Sequence, residues 1–580
     1  MSIQISTIEE LQAIGSNAEN PWNGDYELAN DIEAEGFDFA PIGGDFPNLF
    51  QGTLDGKGFK IKNLTINKPD LENVGLFSTT QGAFSNITFE NVDITGAKYT
   101  GALCGTGIWL DGMGFPNVFH VNNCKVSGVI KGTEYVGGLC GDASHVLGED
   151  DNIVNCEFNG EIVALSENLV YFGGVVGGAK DINLKSCKTY GILNVLTANR
   201  VGGITGSVST SGNIRNCTSN MTISGKNDVG GITGFSNGNL YNNTFSGEIT
   251  GGLNVGFIVG LSAQIDQESV ILSENKGKGI LTGESKVGGI VGYANTRTDV
   301  DNCYSEGVIE ANENSGGIIG HMRSTTGNTC TINNSLSNTQ IVCDVKLGGL
   351  VGWVETTGSG VNDIQRSFFN KDKEGMSNLV DFTYGKSSEE LTSITLYIEN
   401  EWDIISGDKF SIDNPNIWFI GNSFPELGFE FADKYIRSND ISGNGGTVLF
   451  DDKVIIKISP KSLKESKNIS IRSLFQEPLV RLEPKSSLYQ FGPSGTNFNK
   501  EVDVTFEIEG TVNGNETIYW SDNIEGPYRS IGGNISGNKI TGKVKSFSYG
   551  FVGVKIIRRT NTIMMNDIAR YYPYGYGIRR

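Results

Sequence analysis

One phrase returns ten times along this chain, and its return decides what kind of object the sequence can become. It reads NVGLFS at Asn73 to Ser78, YTGALCG ending at Gly105, YVGGLCG at Gly141, YFGGVVG at Gly177 and RVGGITG at Gly206. It continues as DVGGITG at Gly234, NVGFIVG at Gly260, KVGGIVG at Gly292, NSGGIIG at Gly320 and KLGGLVG at Gly352. Between equivalent second residues the steps are 26, 36, 36, 29, 28, 26, 32, 28 and 32. Self-similarity at such a period belongs to stacked repeats, and the uneven steps are those of coils with insertions in their turns. A second phrase runs out of phase with the first, as in NNCKVSGVI at Cys124, VNCEFNGEI at Cys156 and YNNTFSGEI at Asn243. Each unit therefore holds two or three short strands with β-branched residues alternating with small polar ones. One such coil cannot bury its own apolar side. Coils stacked about 4.8 Å apart bury a continuous core and pair the backbone above and below. The expectation is an all-β chain built on a parallel β-helix of roughly ten coils, near 50 Å long.

Glycine fits the same picture. The chain has 79 glycines and 13 prolines in 580 residues, about twice the usual ~7% glycine, without the every-third spacing of collagen. The pairs Gly137-Gly138, Gly202-Gly203 and Gly288-Gly289 read as tight corners, or as positive-φ positions where a Cβ would strike the neighbouring coil. The nine cysteines are odd in number and lack paired short spacings, which disfavours a disulfide framework or a zinc site. Five of them, Cys124, Cys156, Cys187, Cys217 and Cys303, share one register, filled in other coils by Asn243, Asn275, Ser335 and Ser367. Cys104 and Cys140 share a second slot with Thr205, Thr233, Val259 and Val291. Both read as ladders of small buried residues in a reducing compartment, with no metal or cofactor.

A net charge of −21 argues against a body that tracks nucleic-acid phosphates or anionic lipid. No stretch approaches the ~20 apolar residues of a membrane helix. The start Met-Ser-Ile-Gln-Ile-Ser has no basic or apolar leader character, so synthesis in a cytosol without entry to the secretory path is expected. Open solenoid ends invite edge-to-edge pairing, and two segments offer caps. Ser6-Thr7-Ile8-Glu9 matches a capping box before the run Ile8, Leu11, Ile14, and Ser387 to Leu396 begins a second short helix.

The repeated phrase, the opening ISTIEELQAIG, the blocks YELANDIEAEGFDFAPIGG (Tyr26 to Gly44) and FQGTLDGKGFKIKNLTI (Phe50 to Ile66), and the close between Gly385 and Leu427 carry a resemblance. Together they resemble the GLUG-repeat right-handed β-helix of bacterial surface adhesins and of the non-catalytic region of immunoglobulin A peptidases. The resemblance covers about residues 1–430 and implies that fold. The zinc-binding HExxH of those peptidases is absent, so it implies no protease activity here.

After Gly443 the pattern changes to seven or eight strands with turn signals at regular spacing, which predicts an antiparallel β-sandwich. It resembles the sandwich domain of ankyrins and netrin receptors: Tyr489, Phe491, Pro493, Gly495 and Phe498 match one hallmark, and Phe547-Ser548 part of a second. Some relatives cleave themselves there with a His before the Phe. This chain has Ser546 at that position, which removes the base.

The organisation expected is a cap with first coils over 1–70, a β-helix over 71–430, a sandwich over 440–556 and a basic aromatic arm over 557–580. In that arm Arg570, Tyr571, Tyr572, Tyr574, Tyr576, Arg579 and Arg580 are candidate anchors for other virion or surface proteins, since Tyr and Arg favour interface centres. Catalysis in a β-helix needs paired carboxylates or a Ca²⁺ site. Glu149-Asp150-Asp151, and Asp266 with Glu268, are the acids available, and they read as surface turns. Gly234 to Gly238 spells GxSxG inside a strand repeat, without the helix of a nucleophile elbow. No catalytic residue is therefore assigned. The functional expectation is a non-enzymatic binding or structural protein outside a cell, carried on a bacteriophage virion as a fibre, spike, decoration or tail-tip component. A surface adhesin exported by a non-standard route and a polysaccharide depolymerase are the alternatives. Possible partners include a host-surface glycan or protein, but no nucleic acid and no membrane insertion.

Overall fold

The computed structural model describes the chain except residue 1 and segments 45–46, 109–118, 145–151, 168–169, 210–211, 265–268, 374–381, 407–416, 421–423, 428–435, 451–452, 475–481, 494–495, 522–527 and 556–580. The chain divides into two compact units, Met1–Ile404 and Ile405–Arg580.

The first unit is a parallel β-solenoid with three lengthwise sheets of thirteen, twenty and ten strands. One coil shows the plan: Thr205–Ser209 lies on the ten-strand sheet, Asn213–Arg215 on the thirteen-strand sheet, and Thr218–Ser224 with Asn227–Gly230 on the twenty-strand sheet. Every strand of that coil pairs in parallel with its counterpart in the next. The period-two pattern turns Val208, Ile214, Met221, Ile223 and Val229 inward, all fully buried. Ile204 and Ile232, between the glycine pairs and the next strands, are buried with them. At about 25 cal/mol per Å² of apolar surface, each such side chain contributes roughly 1.5–3 kcal/mol, and only the stack supplies the partners.

Two kinds of corner bend the coil, and both use a left-handed residue. The first row of corners is Asn86, Asn123, Asn155, Ser186, Asn216, Asn242, Glu274, Asn302, Asn334 and Arg366, with φ between 46 and 57°. Asn leads because its short polar side chain tolerates this region best among residues with a Cβ. The second row is Tyr99, Tyr135, Tyr171, Arg200, Asp228, Asn254, Lys286, Asn314 and Lys346, with φ between 52 and 68°. The glycines that follow stack in one column, Gly137, Gly173, Gly202, Gly230, Gly256, Gly288, Gly316 and Gly348. None of them has positive φ. Their reason is space: a Cβ on Gly288 would lie 2.0 Å from the Val291 carbonyl oxygen, and one on Gly289 2.0 Å from that of Gly317 in the next coil. Of the two sequence readings of the paired glycines, the close approach holds and the positive φ sits two residues earlier.

The N-terminal helix Ile8–Gln12 sends Ile8 and Leu11 into the solenoid core. Its cap falls one residue later than the sequence suggests: Thr7 Oγ accepts from Glu10 N at 3.2 Å, while Ser6 N donates to the Glu10 carboxylate at 2.7 Å. Toward the other end, Ser387 and Glu390 form a reciprocal capping box ahead of the helices Ser388–Leu391 and Ile394–Glu399.

Besides the short antiparallel pair Trp418–Ile420 and Glu426–Leu427, the second unit contains two larger antiparallel sheets. Val448, Ile456, Val504 and Ile540 of the five-strand sheet share one buried core with Ile469, Ile471, Phe491 and Val552 of the seven-strand sheet, which makes the pair a sandwich. Phe491 stacks on Trp520 at 4.8 Å, and Phe498 meets the edge of Phe547 at 4.7 Å. Ser548 Oγ donates to the Phe547 carbonyl at 2.7 Å.

Candidate functional site

Parallel stacking turns a position repeated once per coil into a line on the surface. The corner row Tyr99, Tyr135, Tyr171, Arg200, Asp228, Asn254, Lys286, Asn314, Lys346 is one such line. Beside it on the ten-strand sheet runs a second, in register: Thr106, Asp142, Gly178, Ser207, Phe235, Leu261, Tyr293, His321, Trp353. The second line faces outward because its strand neighbours Ala294 and Met322 face inward and are fully buried.

The two lines interlock as a seam of rings and cations. Tyr135 lies 4.9 Å from Tyr99 and 4.4 Å from Tyr171 by ring centroids. Lys98 Nζ is 5.0 Å from the Tyr99 ring and 5.4 Å from that of Tyr135. Arg200 donates to Tyr171 Oη at 2.6 Å and places its guanidinium 4.5 Å from the Phe235 ring. Lys286 Nζ sits 3.9 Å over Tyr293, and Lys346 Nζ 3.6 Å over Trp353. Between these last two pairs His321 stacks on Tyr293 at 4.8 Å. Cations over ring faces are favourable by about 0.5–2 kcal/mol, which holds these long side chains in place.

Electrostatics along the seam follow from burial. Asp142 loses solvent between its neighbours, and its carboxyl is pushed up to about 7. Burial raises Asp228 as well, against the pull of Asn254, Arg200 and Lys286. His321 is pushed down to about 4, first by burial and then by Lys286, so its imidazole is neutral at pH 7. Its Nε2 lies 3.3 Å from a Glu355 carboxylate oxygen, and Glu355 also meets Arg323 Nε at 3.2 Å.

The cysteine register occupies the other corner. Cys124, Cys156, Cys187, Cys217 and Cys303 are at most 1% exposed and follow the positive-φ residue in each coil. Each of these thiols donates to a backbone carbonyl, and Cys217 also accepts a neighbouring coil's N–H, as Asn and Ser do in the same slot. Cys187 N donates to Cys217 Sγ at 3.4 Å, Cys217 N to Asn243 Oδ1 at 2.9 Å, and Cys303 N to Ser335 Oγ at 3.0 Å. Near this corner Glu274 and Asp301 form a carboxyl pair, each raised first by burial, with the charge of Asp301 the next cause at Glu274. Among the described residues, no group of three or more His, Cys, Asp or Glu is arranged to hold a metal ion. No helix there is long and apolar enough to cross a membrane.

The arm residues Arg570, Tyr571, Tyr572, Tyr574, Tyr576, Arg579 and Arg580 lie outside the described residues, as do Glu149, Asp150, Asp151, Asp266 and Glu268. The seam is absent from the sequence expectations. Its signal stands in the column of letters that opens each repeated phrase, Y, Y, Y, R, D, N, K, N, K, read down the coils instead of along the chain.

Residues 197–224 hold the corner residue Arg200, the Gly202-Gly203 pair and Cys217, and this stretch matches the family model described as the GLUG motif. The solenoid thus carries a GLUG motif in this coil. The chain is 30% identical over 237 residues to the immunoglobulin A1 protease of Streptococcus sanguinis, a match covering 39% of this chain and 11% of that protein. It is 35% identical over 116 residues to halomucin of Haloquadratum walsbyi, covering 18% of this chain and 1% of halomucin. The chain thus spans only a small part of the curated relatives it matches. Among solved structures it matches one described as an immunoglobulin A1 protease from Bacteroides ovatus, at 17% identity and a TM-score of 0.32, over 73% of this chain and 92% of that one.

Proposed function

We propose that the protein is a non-catalytic binding rod displayed on an outer surface, in the manner of an adhesin. The observation that carries this reading is the seam. It runs through at least nine coils without a break in register, and at 4.8 Å per coil it extends roughly 40 Å. Rings held by cations, flanked by polar groups, suit adhesion to a repeating ligand better than the turnover of one bond. The likeness to segments of an immunoglobulin A1 protease and of halomucin supports an extracellular setting. Nothing in the fold favours a virus particle over a bacterial surface, so the reading is held at the outer surface. The basic aromatic arm is proposed, as before, to anchor the rod to a neighbouring protein.

Purified protein is expected to be retained on bacterial cells and to release no oligosaccharide from their capsule or wall. Failure to bind any cell type tested, in a folded sample, overturns the reading. One feature supports a second reading, a glycan-cleaving rod: Glu274 and Asp301 are paired carboxyls with raised proton affinity, the state a general acid needs. Oligosaccharide release that disappears in Glu274→Gln and Asp301→Asn would establish it over the first.

A further inference from the structure

The ring-and-cation pattern of the seam lapses in several coils, and one lapse is flanked on both sides by a lysine over a ring. Lys286 covers Tyr293 and Lys346 covers Trp353, but the coil between them has Asn314 at the corner and His321 on the sheet. The register Val287, Ser315, Leu347 places Lys286, Asn314 and Lys346 in consecutive coils. The two ammonium groups therefore flank a polar notch, and the lysine backbones stand about 9.6 Å apart at two coils of 4.8 Å.

The notch is unsatisfied. Asn314 and His321 are each only 7% exposed. Asn314 Nδ2 donates to Ser285 Oγ at 3.1 Å, but its Oδ1 has no hydrogen-bond partner. His321 Nε2 faces a Glu355 carboxylate oxygen at 3.3 Å, which leaves Nδ1 as the ring nitrogen without a partner. Buried polar atoms are almost always paired, and those that are not commonly mark a bound group. A neutral imidazole offers one donor and one acceptor, and Asn314 Oδ1 offers another acceptor. The partner must bring hydroxyl groups for these and negative charge for the flanking ammoniums.

We propose that the coils carrying Lys286, Asn314, His321, Lys346 and Trp353 bind a carboxylated saccharide unit of an extended acidic glycan lying along the solenoid axis. This rests on the reading of the protein as a surface-binding rod and names its ligand class. Hydroxyls of the sugar ring meet His321 and Asn314, and carboxylates of successive acidic units meet Lys286 and Lys346. Arg323, held by Glu355 and by Asn295 Oδ1 at 3.1 Å, borders the notch and keeps Glu355 occupied. Lys286 also faces Asp228 and Glu313, with which the carboxylates of the glycan compete for its ammonium group.

Isothermal titration of the full chain with an oligogalacturonate tests the site, with dextran as the neutral polymer and dextran sulfate as a non-carboxylate polyanion. The expected result is saturable binding of oligogalacturonate, weakened roughly tenfold or more in the double variant Lys286→Gln with Lys346→Gln. Binding should also be weakened in His321→Phe, and unchanged in Lys278→Gln, whose side chain pairs with Glu306 at 3.1 Å on another sheet. Circular dichroism identical to the parent keeps a loss interpretable; Lys346 is exposed and Lys286 half-buried, and Gln preserves most of either stem. Absence of oligogalacturonate binding, equal binding of dextran or dextran sulfate, or indifference to the double variant overturns the proposal. Cell retention that survives the double variant also counts against this site while leaving the surface-binding reading intact; loss of cell retention in the parent sinks the broader reading alone.

Discussion

At the scale of single residues, the corner ladder holds Ile87 in one early coil and Cys, Asn or Ser in those that follow. The Asn and Ser members fit a buried corner and also accept an N–H from the neighbouring coil. Asn243 does most, since its Oδ1 accepts from Cys217 N at 2.9 Å and its Nδ2 donates to the Ile214 carbonyl at 2.9 Å. Asn243→Leu is expected to lose about 2–3 kcal/mol by leaving both backbone groups unpaired, while Cys217→Ser stays within about 1 kcal/mol. Hydrogen exchange at the Cys217 amide measures both, and equal protection in the two variants would refute this role. Asp142 gives a pH signature. A carboxyl raised to about 7 in the fold, against about 3.9 unfolded, binds more protons when folded. Its neutral form favours folding in acid, and that contribution is lost as pH rises from about 4 through 7. Asp142→Asn should therefore raise the melting temperature at pH 8 and change it little at pH 4; the same shift at both values would contradict the assignment. None of this is legible from local sequence. The ladder is, because Cys124 to Cys303 recur in phase; the protonation of Asp142 is not, because it depends on burial between the coils stacked on either side of it.

At the scale of elements, strand and corner were readable because they repeat. The phrase around Gly202-Gly203 occurs in enough variants to separate what must be small from what merely alternates. The sheet partition is harder to read: one coil puts two short strands on the twenty-strand sheet, whereas Lys276–Gly288, Tyr304–Gly316 and Leu336–Gly348 run through the same bend unbroken. That difference lies in backbone pairing, which residue type does not encode. Close approach at the second glycine of each pair makes a sharp prediction. A Cβ on Gly231 would fall 2.1 Å from the Phe257 carbonyl oxygen and 2.3 Å from the Phe245 ring, whereas Gly44 has open space. Gly231→Ala is expected to cost about 3 kcal/mol or more and Gly44→Ala about 0.5 kcal/mol or less, as read by denaturant midpoints. Comparable losses would mean that the column tolerates side chains.

At the scale of the whole molecule, two compact units with separate cores should melt as two events. Scanning calorimetry is expected to resolve two transitions, only one of which moves in Gly231→Ala; a single transition moved as a whole would show that the units unfold together. The uneven repeat steps, 26 to 36 residues, carry a consequence of their own. Every coil closes through the same two left-handed corners whatever the length of its turns, so coils are interchangeable parts. Deleting or duplicating one leaves the neighbouring corners and core contacts intact and slides everything beyond it by a single 4.8 Å notch. Lineages of this protein can thus lengthen or shorten their reach in fixed increments, as a ruler gains or loses a division, without redesigning either end.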